Sequence, residues 1–233
     1  MNSAVIVAAG QGLRMGGLVR KQFLQLDGLP ILSHTLRVFN QSRETDHIVL
    51  VIPESDFDFC RQVVLPPVSP KKPITLVPGG KVRQESVYNG LRTINDPTGL
   101  VAIHDGVRPF ITTAQLSACY KAARNHHGCI LGIPASDTLK VISENGGIIR
   151  TVDRANVWLA QTPQVFRYDL IRHAHEQALA SGILGTDDAV LLEKTGHRIK
   201  MILGSRNNIK ITTPEDLLLA EALLQLMRQN ESR

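Results

Sequence analysis

Nowhere does the 233-residue chain carry the roughly 18 consecutive apolar residues that a membrane-spanning helix needs. The apolar run Ala4–Ala9 is too short for a signal sequence, and Met1–Ala4 lacks the basic residues that precede one. The sequence therefore predicts a cytoplasmic protein that neither crosses nor binds a membrane. Only three cysteines are present (Cys60, Cys119 and Cys129), widely spaced and with no CxxC pair, which excludes a disulfide framework and a cysteine zinc site and predicts buried thiols. Aromatics make up just 4%, too few for a platform that stacks single-stranded bases. The basic excess is small, 26 Lys and Arg against 21 Asp and Glu, and it is spread along the chain rather than gathered on one element. That distribution suits small anionic ligands better than nucleic acid. No GxSxG or HExxH motif occurs, and the eight histidines show no metal-ligand spacing. His126-His127 and His173-x-His175 read as solvated helix residues. His104 reads as a local hydrogen-bonding group.

What is present is a regular alternation of short apolar runs and amphipathic segments, in ordinary globular proportions of 43% hydrophobic and 20% charged residues. Strands are predicted at Ala4–Ala8, His47–Ile52, Ile74–Val77, Leu100–His104, Cys129–Ile133 and Lys200–Leu203. Helices are predicted at Pro30–Asn40, Gln84–Ile94, a segment capped by Thr112 or Thr113 and running to Asn125, Tyr168–Ser181, Asp187–Lys194, and Pro214–Met227 with Thr213 as N-cap. This order predicts an α/β fold: a Rossmann-like, mostly parallel sheet covered by helices on both faces. The chain reads as a single domain over 1–233, with no repeat and no interdomain linker. Thr138–Ile142 and Ile148–Val152 break the alternation. They read as a hairpin turning at Asn145-Gly146, within an arm over 136–156 that projects either to a partner subunit or as a local flap.

The first strand runs into Ala8-Ala9-Gly10-Gln11-Gly12-Leu13-Arg14-Met15-Gly16. A glycine-rich loop after a buried strand lets backbone N–H groups approach phosphate closely. Neither familiar phosphate loop fits: GxGxxG fails at Met15, and Leu18 stands where the Walker loop needs lysine. Arg14 lies inside the loop and Lys21 follows in Lys21-Gln22-Phe23. Two fixed cations beside a backbone cradle suit a triphosphate attacked at its α-phosphate, where charge grows in the transition state. A tight turn with solvated Arg14 and Lys21 is the alternative that the loop alone leaves open.

These residues, with His104-Asp105-Gly106-Val107-Arg108-Pro109, Asp137-Thr138-Leu139-Lys140, Val152-Asp153-Arg154, Gln161-Thr162-Pro163-Gln164-Val165-Phe166, Thr186-Asp187-Asp188-Ala189 and Asn208-Ile209-Lys210-Ile211-Thr212, resemble in order the motifs of a nucleotidyltransferase family. It is the branch that activates 2-C-methyl-D-erythritol 4-phosphate with CTP in non-mevalonate isoprenoid synthesis. The resemblance implies the nucleotidyltransferase fold and catalysis by Arg14, Lys21, Arg154 and Lys210. It implies a nucleotide site formed by Ala8, Ala9, Gly10, Gly12, Arg14, Lys21, Gly80, Arg83, Ser86 and Asp105. Asp105, Arg108, Thr138, Arg154 and Lys210 are implied to hold the methylerythritol phosphate. It further implies Mg²⁺, carried chiefly by triphosphate oxygens and water, and a homodimer whose arms exchange Thr138 and Arg154. Arg83 reads equally as a surface helix arginine, and Asp105 with Arg108 as a pair that only stiffens a turn.

A phosphate monoester is largely a dianion at neutral pH, its second pKa being about 6. It can attack the CTP α-phosphate without a general base, which agrees with the missing nucleophile motifs. Three positions depart from the family pattern. Arg20 replaces the usual proline, either adding charge near the triphosphate or pointing to solvent. Gly106-Val107 replaces two alanines, and Lys81 stands where relatives often carry an acid. A ribitol 5-phosphate cytidylyltransferase shares several of these blocks. A catalytically silent nucleotide-binding protein on the same fold is the alternative from another class.

Overall fold

The computed structural model describes residues 1–10 and 19–231. In chain order the first half runs β1 (Ser3–Val7), β2 (Gln25–Leu26), β3 (Leu29–Pro30), α1 (Ile31–Gln41), β4 (His47–Ile52), the single turn α2 (Phe57–Phe59), β5 (Ile74–Pro78), α3 (Arg83–Leu91), β6 (Leu100–Asp105) and α4 (Thr113–Arg124). The second half runs β7 (Gly128–Pro134), β8 (Lys140–Ile142), β9 (Ile148–Thr151), β10 (Trp158–Arg167), α5 (Tyr168–Ala180), α6 (Ala189–Lys194), β11 (Ile199–Leu203) and α7 (Pro214–Glu231). Seven strands form one sheet in the order β11-β7-β10-β6-β1-β4-β5. All its neighbours are parallel except β10, which runs antiparallel to both β6 and β7. No described helix is long and apolar enough to cross a membrane.

The core follows from the two-residue period of a strand, which sends alternate side chains to opposite faces. Ala4, Ile6, Ile48, Leu50 and Ile52 pack with Leu36 and Phe39 of α1 and Leu116, Cys119 and Tyr120 of α4. Val5, Val49, Val51, Val101 and Ile103 face the other way, onto Val87 and Leu91 of α3, Ile171 of α5 and Leu192 of α6. Both faces are covered, so the strands read as continuous apolar runs, as expected for a sheet buried on both sides. Each fully buried aliphatic side chain contributes about 1.5–3 kcal/mol. The three cysteines are free and buried within this packing. A third, smaller cluster of Leu26, Ile31, Val107, Phe110, Ile211 and Ala220 packs α7 against β2, the start of α1 and the loop after β6.

The helix ends follow their local chemistry. Thr112 caps α4, its hydroxyl accepting from the Gln115 N–H at 3.2 Å while the Gln115 side chain reaches back to the Thr112 N–H. Thr213 accepts from the Asp216 N–H at 3.3 Å, and Pro214 opens α7.

One element departs from the sequence expectation. The Gln161–Phe166 stretch, legible as a motif, lies in β10, a ten-residue interior strand between β7 and β6. Proline argues against a central strand because it cannot donate to the ladder. Here the pairing with β7 shifts register between Gln161 and Gln164, and this bulge accommodates Pro163. The arm forms as expected, an antiparallel pair, β8 with β9, joined by Ser143–Gly147 with Asn145-Gly146 in the turn. Gly146 takes φ +83° there, a left-handed conformation in which glycine has no Cβ to clash.

Candidate functional site

In open α/β sheets ligands bind beyond the carboxyl ends of the strands, where the strand order reverses. That point lies between β1 and β6, because the chain builds outward through β4 and β5 and then returns to the far side of β1. A cleft of about 430 Å³ opens there, lined among others by Ala8, Ala9, Gly10, Lys21, Gly80, Lys81, Arg83, Ser86, Asp105 and Lys210.

One wall is the exit of β1. Ala8 is tied to β4 by its N–H on the Val51 carbonyl at 2.8 Å. Lys21 begins a 3₁₀ turn, Lys21–Phe23, and is half-buried at the cleft. Its neighbour Gln22 is fully buried and donates its side-chain amide to the carbonyls of Ala8 at 2.7 Å and Gly10 at 3.4 Å. This strut fixes both ends of the visible cradle against the Lys21 turn. Gly12 and Arg14 lie outside the described residues. Arg20 forms an ion pair with Asp56 at 2.8 Å, so it neither joins the cleft nor points freely to solvent.

The opposite wall joins β5 to α3. The Gly79 N–H donates to the Ile52 carbonyl at 3.0 Å, and a Cβ on Gly79 would fall 2.2 Å from that of Ala9. Only glycine lets the two walls approach this closely. Gly80 N–H donates to the Ser86 hydroxyl at 3.0 Å, and Ser86 in turn donates to the Val82 carbonyl at 3.1 Å. The Lys81 N–H is held by the Glu85 carboxylate at 2.7 Å, which leaves the exposed Lys81 side chain at the cleft mouth.

The floor is the end of β6, and its centre is Asp105. One carboxylate oxygen accepts from Arg83 Nε at 3.0 Å; the other faces Lys210 Nζ at 2.7 Å and Arg108 Nε at 3.8 Å. Burial by itself opposes ionisation of Asp105, but the charges of Arg83, Lys210 and Arg108 outweigh it and hold the carboxyl below its ordinary range. Arg83 is not a surface arginine: it bridges Asp105 to the fully buried Asp188, 2.7 Å away, and both carboxylates hold its charge firmly against burial. Nor do Asp105 and Arg108 merely stiffen a turn, since Arg108 spends its strongest bond elsewhere, donating to the Asn208 carbonyl at 2.7 Å. His104 behaves as expected, donating to the Arg108 carbonyl at 3.2 Å, and burial pushes its pKa down to about 3.

Lys210 reaches the floor on a strap strung between β11 and α7. The buried Asn208 donates to the Thr162 carbonyl at 2.9 Å, and the Ile211 N–H donates to the Val107 carbonyl at 3.0 Å. The Thr162 hydroxyl closes the circuit by accepting from the Asp105 N–H at 3.1 Å. Asp216 anchors the strap's far end on the N–H groups of Thr212 and Thr213, at 2.8 and 2.9 Å.

The structure thus gathers Ala8, Ala9, Gly10, Lys21, Gly80, Arg83, Ser86, Asp105 and Lys210 around one cleft, with Arg108 behind Asp105. It does not bring Thr138 or Arg154 to that cleft. Both are exposed on the arm, where Arg154 is bonded to the Ser136 carbonyl. Three contributors escaped the sequence reading. Gln22 was visible only as a letter beside Lys21. Asp188 stands in the Thr186–Ala189 motif without a role, and Lys81 is marked only as a departure from the family pattern. His175 is a correction: it is not solvated but buried against Asp188 at 3.1 Å, while His173 and the His126-His127 pair are exposed. Its periodicity on α5, in step with Ile171 and Ala178, was the available signal.

Among the described residues no group of three or more His, Cys, Asp or Glu converges on a point. The cleft's one buried carboxylate, Asp105, is already surrounded by cations. This donor set fits a hard divalent ion that keeps its waters and binds through substrate phosphates rather than a protein cage.

A family model described as 2-C-methyl-D-erythritol 4-phosphate cytidylyltransferase matches residues 2–226. The chain is similar to curated proteins of that description: 49% identical over 225 residues to one from Geotalea uraniireducens, covering 96% of each chain, and 48% identical to one from Geobacter metallireducens, covering 95% of this chain and 97% of the other. Among solved structures, it resembles the 4-diphosphocytidyl-2C-methyl-D-erythritol synthase of Anaerococcus prevotii, with TM-score 0.85, 34% identity and 96% coverage of both chains.

Proposed function

This chain belongs to the 2-C-methyl-D-erythritol 4-phosphate cytidylyltransferase family, and from that premise we propose how its cleft works. The chain transfers CMP from CTP to 2-C-methyl-D-erythritol 4-phosphate, giving 4-diphosphocytidyl-2-C-methyl-D-erythritol and pyrophosphate. The ribitol 5-phosphate and silent-binder alternatives are not favoured. The observation that carries the mechanism is the convergence of Lys21, Lys210 and the Asp105 cluster on one cleft beside the β1 exit.

CTP lies with its base and ribose between Gly80, Ser86 and Ala8–Gly10, where backbone donors and acceptors read the pyrimidine edge. Its triphosphate runs toward Lys21. The substrate phosphate dianion attacks the α-phosphorus, the P–O bond to the β-phosphate breaks, and pyrophosphate leaves. Lys21 and Arg14 stabilise the charge on the pentavalent phosphorus and the leaving group, which is where a preorganised cation acts most strongly. No proton has to move, so the buried, neutral His104 is not required as a base. A divalent ion such as Mg²⁺ would be held through the substrate phosphates and water and would supply charge neutralisation, while Lys21 and Arg14 orient the triphosphate.

Asp105 holds a methylerythritol hydroxyl, and Lys210 meets the attacking phosphate. Thr138 and Arg154 complete that site from the arm of a second copy. This reading is supported by the absence of both residues from the lining of their own chain's cleft and by exposed apolar residues on the same arm, Ile142, Ile148 and Ile149, 60–67% exposed, with Trp158 and Leu159 exposed at the start of β10. An Arg fork and a Lys suit a phosphate dianion. CTP and a polyol phosphate are anions that do not cross bilayers unaided, which supports a cytoplasmic location.

The test is pyrophosphate release with CTP and Mg²⁺, comparing the methylerythritol and ribitol phosphates. Turnover with the methylerythritol phosphate is expected; turnover confined to ribitol 5-phosphate would overturn the substrate assignment.

A further inference from the structure

Behind the cleft floor runs a line of charged side chains that the mechanism leaves without a task. Arg83 could close its guanidinium fork on Asp105 in a bidentate grip, the strongest geometry open to it. It does not. Its Nε bonds Asp105, its Nη1 turns away to Asp188 at 2.7 Å, and its Nη2 is buried with no hydrogen-bond partner. Asp188 is itself fixed. One of its oxygens holds Arg83 and the other accepts from His175 Nε2 at 3.1 Å, with both acids and the imidazole buried. The His175 ring lies parallel to Tyr88 of α3, with centroids 6.3 Å apart, so it braces the helix that carries Arg83 as well as the acid that holds it. From the sheet side, Gln164 of β10 accepts from the backbone N–H groups of Asp188 and Ala189 at 3.2 and 3.1 Å, which sets where Asp188 stands.

We propose that Asp188, oriented by His175, is a positioning residue that splits the Arg83 fork and so keeps one oxygen of Asp105 available to Lys210. The reason is competition for lone pairs. With one Arg83 donor committed to Asp188, Arg83 occupies a single Asp105 oxygen, and the second faces Lys210 at 2.7 Å. Without the Asp188 charge, Arg83 keeps only Asp105 as a counter-ion. Its unpartnered Nη2 then closes on the second oxygen and displaces Lys210. The effect is felt at the polyol phosphate, which Lys210 meets, and this part rests on the function proposed above.

The experiment is the crystal structure and steady-state kinetics of Asp188→Asn, which keeps the volume and removes the charge. In the structure, Arg83 is expected to grip Asp105 through both oxygens and Lys210 Nζ to lie beyond ion-pair distance. In the kinetics, the KM for the polyol phosphate is expected to rise about tenfold while that for CTP changes by less than about threefold, since small displacements of a positioned group carry large kinetic effects. An unchanged Arg83 with Lys210 still on Asp105, or an equal loss toward both substrates, would overturn the proposal. Should Asp188→Asn not fold, His175→Gln keeps the ion pair but loosens its orientation, and the same split is expected at about threefold; a wild-type KM for the polyol phosphate there would overturn it. An inactive wild-type chain whose Asp188→Asn variant still rearranges would support the coupling while refuting the assigned reaction.

Discussion

The cleft floor and the arm carry the same kinds of residue, arginine, lysine and hydroxyl side chains suited to a phosphate, yet they are built in opposite ways. On the floor Asp105 is buried, its cations are partly buried, and each charged group is held from at least one side: Asp105 by Arg83, Lys210 and Arg108, and Arg83 by two acids. On the arm, Thr138 and Arg154 are exposed and β8–β9 pair only with each other. A buried network costs desolvation and returns fixed geometry. A two-stranded hairpin is marginal alone and gains its definition from whatever it packs against. The floor is therefore fixed by contacts within one chain, whereas the arm takes its definition from what it packs against, which under the proposed function is a second copy.

The sharpest break in that comparison is Lys21→Ala. A cation fixed at the cleft should affect the transition state more than the bound nucleotide, so turnover is expected to fall at least about 100-fold, about 3 kcal/mol, with little change in CTP affinity by calorimetry. Wild-type turnover in that variant would remove Lys21 from the chemistry.

Next comes the arm's apolar surface. Ile148→Glu with Ile149→Glu should convert a dimer into a folded monomer in sedimentation and lower activity by about tenfold or more, because the charges cannot be buried across an interface. A fully active monomer would show that the arm serves its own chain. Arg154→Ala should act more narrowly, raising the KM for the polyol phosphate about tenfold and leaving that for CTP unchanged. An effect confined to CTP would move Arg154 to the nucleotide.

The smallest effect concerns stability alone and belongs to the floor. His104 has its pKa pushed from 6.5 down to about 3 by burial, so the folded chain stays neutral there while the unfolded chain takes up a proton below about 6.5. Unfolding therefore binds a proton in that window, and stability falls as pH is lowered from 6.5 toward 3. Asp105 and Asp188, held below their ordinary range, add their loss once the pH falls through the unfolded carboxylate value of 3.8, where each is protonated in the unfolded chain first. Urea unfolding at pH 7 and pH 5 should show the decrease, and His104→Gln should flatten it. An unchanged slope in that variant would assign the decrease to other groups.

Much of this was legible in advance, for reasons of local physics. The apolar runs of β1, β4 and β6 announce strands covered on both faces, and Thr112 with Gln115 or Thr213 with Pro214 announce helix starts from their own side-chain chemistry. β10 was not legible as a strand, because Pro163 denies it a ladder hydrogen bond and only a bulge against β7 makes room. Lys21 and Asp105 could be singled out because they stand beside a glycine-rich loop and at a strand end. Gln22 could not, since its task is a pair of backbone carbonyls that no pattern of letters points to.

By itself, then, the sequence determined the alternation of elements, the two apolar faces of the sheet, the glycine-rich exit of β1 and the presence of a separate hairpin, all of which depend on neighbours within a few residues. Only the tertiary structure decided that Arg83 bridges two acids distant in sequence, that His175 is buried rather than solvated, and that Lys210 reaches Asp105 across a strap tied to β10 and α7. Apart from the Thr212–Asp216 tie, four positions long, those contacts join residues 13 to 105 positions apart, and their strength depends on exclusion of water, a property of the packed core that no single segment possesses.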